Sequence, residues 1–399
     1  MAQFDLVFEG GGAKGMVFTG ALREFERRGH TFDRLMGTSA GAIMATLLAA
    51  GYDSTEMINA LSERVDGKPA FTQFMGVPES FDQSVISASA TREWLENTDI
   101  PIVPPGMEGQ IDDWIINTLL ESPLYRHIFS FVERGGWYSA DAFLEWLRKK
   151  LDEGSYKGQP RRFSEMTLEE FYKKTGTDLT LSAADISGNR LRVLNHRTAP
   201  DLPLVWGVRM SMSVPLLWQE VIWDPEWGPY RGVKIDGNAI VDGGLLSNFP
   251  IELFITEDPM WLKIMGPKKQ NALIGMLIDE TIQVPGVESD PDKKGASLGE
   301  LRTVSRLKGL VDTVTQARDK GVITEYNQFV VRLPAKHYGT TEFDMPDWKR
   351  EALVKAGEAT MKAYLDEMGD QIPSTSPAFE AFGFYDQADE VAARILGEP

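Results

Sequence analysis

The sequence predicts an α/β fold in which a mainly parallel central sheet is flanked by helices. Two observations lead there. The unit strand, glycine turn, helix occurs twice within the first fifty residues, and that alternation is the signature of parallel strands joined by helical crossovers. In addition, 399 residues with 42% apolar content can bury a large core.

Residues 3–9 alternate and then turn apolar (DLVF), which reads as the first strand. GGGAKG follows at 10–15, and helical spacing runs over 15–28 to a stop at Gly29. A short second strand at 32–36 leads into GTSAG at 37–41. Strong helix formers fill 40–50 up to Gly51, so Ser39 falls at the first turn of a helix. From 66 to 136 the pattern loosens, with Phe71, Phe74, Phe81, Trp94, Trp114, Phe129 and Phe131 scattered among polar residues and prolines. This stretch reads as a partly helical insertion or cap, with amphipathic segments at 111–120 and 125–133. Its aromatics are by default ordinary core, and the alternative is a cap over a site or a contact with lipid. Helical spacing resumes over 137–151 through Phe143, Leu147 and Leu151. Strands are predicted at 177–184 and 191–194, joined by a turn at 187–189. A helix at 205–212 is limited by Pro215, and a strand at 235–241 runs into DGGLLSNFP. A strand at 272–278, a mobile loop at 284–299 rich in Pro, Gly, Ser and Asp, a helix at 301–317, a strand at 328–333 and a helix at 347–368 follow.

Composition excludes several functions. With 41 Lys+Arg against 59 Asp+Glu, the formal charge of −18 argues against general nucleic-acid binding and against electrostatic docking on anionic membranes. The absence of cysteine removes disulfides, thiolate metal sites and cysteine nucleophiles, and four histidines make a histidine metal cluster improbable. No metal or cofactor is expected. No stretch approaches the roughly 20 apolar residues of a membrane span. MAQFDLVFEGGG lacks the basic and apolar regions of a secretory signal, so a cytoplasmic location is the default expectation, with signal-independent export still open.

GTSAG fits the Gly-x-Ser-x-Gly bend on which serine hydrolases expose a nucleophile, with Ser39 flanked by Gly37, Thr38, Ala40 and Gly41. A serine hydroxyl needs a base. One candidate is Asp242, which follows an apolar run ahead of Gly243 and Gly244, where partial burial would raise its pKa. The other is a triad, since Ser39, Asp242 and His337 fall in α/β-hydrolase order. Position favours the dyad: too few strands precede Ser39 for an α/β-hydrolase, and His337 lies in the polar stretch LPAKHYG. The GGGAKG turn also fits a dinucleotide fingerprint through Gly10, Gly12 and Gly15, but that reading leaves GTSAG and DGG unexplained. A P-loop is excluded because Gly15, not Ser or Thr, follows Lys14. In a hydrolase, Gly11 and Gly12 bring main-chain amides to a developing oxyanion, aided by the helix dipole.

Together, GGGAKG, GTSAG and DGG resemble the patatin-like phospholipases. SMSVP at 211–215, GGWYSADAFLEWLRKKL, TDLTLSAADISGNRLRVLNH and TEFDMPDWKREALVKAG are similar to further segments of that family. The resemblance covers about residues 4–370, is least typical over 66–136, and leaves 371–399 as a tail. It implies the family's three-layer fold and lipid acyl hydrolysis without a cofactor. It implies Ser39 as nucleophile, Asp242 as proton acceptor, and an oxyanion hole from the amides of Gly10, Gly11, Gly12, Ala13, Lys14 and Gly15. Many members carry arginine where this chain has Lys14, which supplies a point charge in place of a bidentate contact. The expected partner is a lipid substrate, at a membrane surface or free. Esterase or thioesterase action on soluble substrates, or an effector switched on by a protein or small-molecule activator, are the other readings.

Overall fold

A computed structural model of the chain describes residues 2–78, 81–96, 120–288 and 323–369. The main strands are β1 (Gln3–Phe8), β2 (Thr31–Gly37), β3 (Asp178–Asp185), β4 (Arg190–Leu194), β5 (Val221–Ile222), β6 (Ala239–Asp242), β7 (Ala272–Gln283) and β8 (Val330–Lys336). The principal helices are α1 (Met16–Arg27), α2 (Ala40–Ala49), α3 (Pro123–Arg134), α4 (Asp141–Asp152), α5 (Leu204–Ser211) and α6 (Asp347–Met368).

The eight strands form one sheet in the order β5-β6-β3-β2-β1-β7-β8, with β4 also paired to β3. Every pairing from β3 through β2, β1 and β7 to β8 is parallel, whereas β4, β5 and β6 add antiparallel pairs at the other side. Period-two alternation splits the apolar side chains between the two faces. Phe4, Leu6 and Phe8 of β1, with Ile274 and Met276 of β7, join the larger core under α1, α2, α4, α5 and α6. Val7, Met36, Leu273 and Leu277 join a second core with Phe249, Phe254 and Trp261. The result is the helix-flanked, mainly parallel sheet that the sequence predicts. Among the described residues, no helix is long and apolar enough to cross a membrane.

Several elements differ from their sequence reading. Residues 136–138 form a strand paired with Leu216–Trp218, and helix α4 starts only at Asp141, after Ala140 takes a left-handed φ of 63°. The β-forming Trp137 and Tyr138 thus follow their backbone partner and not the helical spacing of the residues behind them. Strand β6 is shorter than predicted, because Gly237 at φ 82° turns the chain just before it. Helices Ser54–Leu61 and Leu168–Thr175, each closed by a capping box, are additional. In the 66–136 stretch, Phe71 and Phe74 pack with Phe143 and Trp146, the ordinary core role. The predicted helix 301–317, most of 111–120 and of the loop 284–299, and the tail 371–399 lie outside the described residues.

Helix α1 crosses α6 at close range, and Gly357 permits it: a Cβ there would run into the carbonyl of Val17. Replacing Gly357 with Val is expected to cost about 3 kcal/mol by overpacking, measured as a lowered urea midpoint at unchanged slope. An unaltered midpoint would mean that the two helices are not held this tightly.

Candidate active site

Turns at the carboxyl ends of β1, β2 and β6 converge. Leaving β2, the chain bends at Ser39, which is held at φ 54° and ψ −121° before α2 begins. A non-glycine residue there costs about 1–3 kcal/mol, so the surroundings must impose it. The Thr38 N–H donates to Phe8 O (3.2 Å), and the Ser39 N–H donates to the buried Ser211 hydroxyl (3.1 Å). The hydroxyls of Thr38 and Ser182 lie 2.5 Å apart, and the Gly41 N–H returns to Thr38 O at 2.8 Å. Gly41 has no room for a side chain, since a Cβ would meet the carbonyls of Phe8 and Glu9.

Asp242 ends β6 and is 3% exposed. Its N–H donates to Ser213 O (2.9 Å), and its Oδ1 accepts from the Gly244 N–H (2.7 Å). The Ser39 hydroxyl faces this carboxylate closely enough to favour its ionised form, but no bond of full geometry forms, and Oδ2 is buried without a hydrogen-bond partner. Burial dominates and pushes the Asp242 pKa up to about 7, against the smaller opposing pulls of Ser39 and the Gly244 amide.

The glycine turn after β1 lies against this pair. A Cβ on Gly10 would be 3.0 Å from Ser39 Cβ, and one on Gly15 would be 3.0 Å from Ala40 Cβ. Asn248 ties the turn to the DGG loop: its Nδ2 donates to Gly10 O (2.9 Å) and to Glu9 (3.1 Å), and its carbonyl accepts the Gly10 N–H (3.3 Å). The amides of Ala13 and Lys14 are also taken, by Thr340 O (2.8 Å) and Gly11 O (3.2 Å). Those of Gly11 and Gly12 have no acceptor among the described residues. Two adjacent free amides ahead of a helix form a cradle suited to an anion. The side chain of Lys14 is buried and paired with Glu280 of β7.

The structure thus brings together Ser39, Asp242, Gly243, Gly244 and the segments 10–15 and 37–41. Among the described residues no histidine hydrogen-bonds Ser39 or Asp242; His337 lines a surface cleft with Gln283, Gly286, Val287 and Glu288. Nor is any cluster of His, Asp or Glu among them arranged to hold a metal ion.

Supporting residues escaped the sequence reading. The Ser211 hydroxyl holds the Ser39 amide, for which the serines of SMSVP were the available signal, and the Ser213 carbonyl holds the Asp242 amide. Buried Arg209 donates to Ser139 O (2.9 Å), Gln219 O (2.8 Å) and the Ser213 hydroxyl, and burial lowers its pKa to about 10. The carbonyl of Thr340 had no signal. Its turn is braced by Lys349, whose Nζ donates to both carboxylate oxygens of Glu342 (2.7 and 2.8 Å) and to His337 O (2.9 Å).

Residues 6–255 match the model of the patatin-like phospholipases. The chain belongs to that family. It is 27% identical over 371 residues to YqhO of Bacillus subtilis (strain 168), covering 91% of this chain and 98% of the relative. To the probable lipid hydrolase 463L of Invertebrate iridescent virus 6 it is 21% identical over 254 residues, 63% of this chain and 62% of the viral protein. Among solved structures it is similar to VipD from Legionella pneumophila, with a TM-score of 0.44 and 17% identity over 92% of this chain and 67% of VipD. The type III effector ExoU gives a TM-score of 0.39 at 16% identity, over 92% of this chain and 53% of ExoU. The three glycine turns GGGAKG, GTSAG and DGG, all within the matched span, are the three that meet at Ser39 and Asp242. Strands β7 and β8 and helix α6 lie beyond the matched span but complete the sheet and brace the first of those turns.

Enclosing Asp242 has a stability consequence whose sign is fixed. Its pKa rises on folding from 3.8 to about 7. Below 3.8 both states are protonated; above it the unfolded chain loses its proton first, so stability falls as pH rises until the folded pKa is passed. The full cost above that point is roughly 4 kcal/mol. Asp242→Asn, which cannot ionise, is therefore expected to melt above wild type at pH 8, with the gap narrowing as pH falls below 7 and closing only near 3.8. Equal melting temperatures at pH 8 would contradict a buried, ionised Asp242.

Proposed function

We propose that this member of the family hydrolyses the carboxylic ester bonds of glycerolipids, as a phospholipase A or lysophospholipase does, through an acyl-serine and a Ser39–Asp242 dyad. One observation carries the reading: a carboxyl raised to about 7 by burial faces a serine on a strained bend, beside two unpaired amides. A base with its pKa near the working pH is the efficient one.

Ser39 Oγ attacks the ester carbonyl while its proton passes to Asp242. The carbonyl oxygen takes up negative charge and accepts from the Gly11 and Gly12 N–H groups; such a donor is worth about 3–4 kcal/mol in the transition state. Collapse expels the alcohol or lysolipid, which recovers the proton from Asp242, and leaves an acyl-serine. Water then attacks the acyl carbon as Asp242 accepts its proton, and collapse of the second tetrahedral intermediate breaks the bond to Ser39 Oγ, which recovers the proton from Asp242 as fatty acid leaves.

Product analysis by mass spectrometry on phosphatidylcholine and lysophosphatidylcholine is expected to show fatty acid release by wild type, reduced about 10³-fold or more in Ser39→Ala and in Asp242→Asn. Substantial release by Ser39→Ala would overturn the mechanism. The wild-type kcat/KM should climb about tenfold per pH unit below 7 and level off above it, because the base must be ionised. A limb of the same midpoint surviving in the residual activity of Asp242→Asn would assign the base elsewhere.

A further inference from the structure

Helix α3 is inverted. Its polar side chains bond toward the protein: buried Ser130 donates to Gly136 O (2.5 Å), Arg126 to Pro78 O (3.1 Å), and Glu133 accepts the N–H groups of Ala90 (3.0 Å) and Thr91 (2.7 Å). Phe129 is buried against Phe81, but the other large apolar side chains of the helix face out: Leu124 is 57% exposed, Tyr125 43%, Ile128 40% and Val132 60%. The spacing of Leu124, Ile128 and Val132 stacks them along one stripe, with Tyr125 beside it and half-buried Phe131 at its edge. Four of the eleven exposed large apolar residues among the described residues thus sit on one helix, while the other seven are scattered singly along the chain. Single exposed apolar residues are ordinary; a stripe of this kind marks a binding surface.

We infer that this stripe is where the protein docks on a zwitterionic or uncharged lipid surface that presents substrate to the site, an inference that rests on the lipid-hydrolase reading. Position supports it. At Gly135 the helix ends, and the strand Gly136–Tyr138 pairs with Leu216–Trp218, the continuation of the segment whose Ser213 carbonyl holds the Asp242 N–H. One strand pairing therefore links the end of the helix to the segment that holds the proposed base through its Ser213 carbonyl. Charge selects the kind of lipid. The outward residues carry no ionised group, so they suit hydrocarbon, whereas the net charge of −18 repels an anionic bilayer.

The test uses the full chain, phosphatidylcholine vesicles, and the water-soluble ester p-nitrophenyl butyrate. The variant carries Leu124→Ser, Ile128→Ser and Val132→Ser together, all at exposed positions that the fold tolerates. Vesicle binding by sedimentation, read in a Ser39→Ala background so that lipid is not consumed, is expected to weaken at least about tenfold in the variant. Hydrolysis of vesicular phosphatidylcholine should fall in step, while cleavage of the soluble ester stays within about twofold, because catalytic groups are untouched. Replacing half the lipid by phosphatidylglycerol should weaken wild-type binding. Vesicle binding unchanged in the variant overturns the inference. So does a wild-type dimer in sedimentation velocity that the variant abolishes, which would place a second copy on the stripe. A parallel loss of both activities would also overturn it. Stripe-dependent binding by a wild type that cleaves no ester would sink the catalytic reading alone.

Discussion

The chemistry at this site depends on a carboxylate enclosed without a cation. Asp242 and Asp185 lie close together on paired strands, Asp185 opposite Ile240, yet their environments diverge. Both are buried, and burial raises both. At Asp185 the guanidinium of Arg192, the Gly188 N–H (2.7 Å) and the Asn238 amide (2.8 Å) outweigh that and hold its carboxyl below the usual range. Among the described residues Asp242 has only a backbone amide and a serine hydroxyl, and neither compensates for the water it has lost. The same residue type is thereby an ion-pair anchor at one point and, in the proposed reaction, a poised base a few residues away.

Keeping Asp242 in that state requires a scaffold that positions it through backbone contacts and keeps charged groups away. Ser213 fixes its amide through a carbonyl, and Arg209 fixes the surrounding loop through two more carbonyls and the Ser213 hydroxyl. A buried guanidinium is costly, and its several carbonyl partners are what make it tolerable. On the opposite flank the Lys349–Glu342 pair sets the turn whose Thr340 carbonyl consumes the Ala13 amide. The bond selects which amides of the glycine turn stay free. In the proposed reaction this matters as much as the nucleophile, because an oxyanion must meet donors that are already oriented.

Much of this was legible in the sequence where local chain geometry dictates residue type. The bend at Ser39 needs Gly41 because backbone passes where a side chain would stand, and GTSAG announces it. The parallel sheet was visible in the repeated strand, turn and helix. What could not be read was every partner chosen by tertiary packing. Thr340 contributes only a carbonyl, which any residue supplies. Gly136–Tyr138 became a strand because Leu216–Trp218 lies beside it, a pairing between segments about eighty residues apart. Amphipathic spacing located α3, but periodicity does not say which side chains turn inward, and here Ser130 and Glu133 do so beside Phe129 while Leu124, Ile128 and Val132 stay out.

Lys14 shows how sequence and structure jointly define the anion cradle. A cation in the GGGAKG turn suggests electrostatic help for an oxyanion. In this chain the Lys14 ammonium is already paired with Glu280, whose side chain is largely exposed while the lysine is buried. A neutralised pair adds little field at a neighbouring oxygen. The cradle's pull on an anion therefore rests on the amides of Gly11 and Gly12 and on the dipole of the helix that follows, groups whose strength varies little with salt or pH. With the cradle constant, the ionisation of Asp242 is left as the element of the proposed mechanism that pH controls.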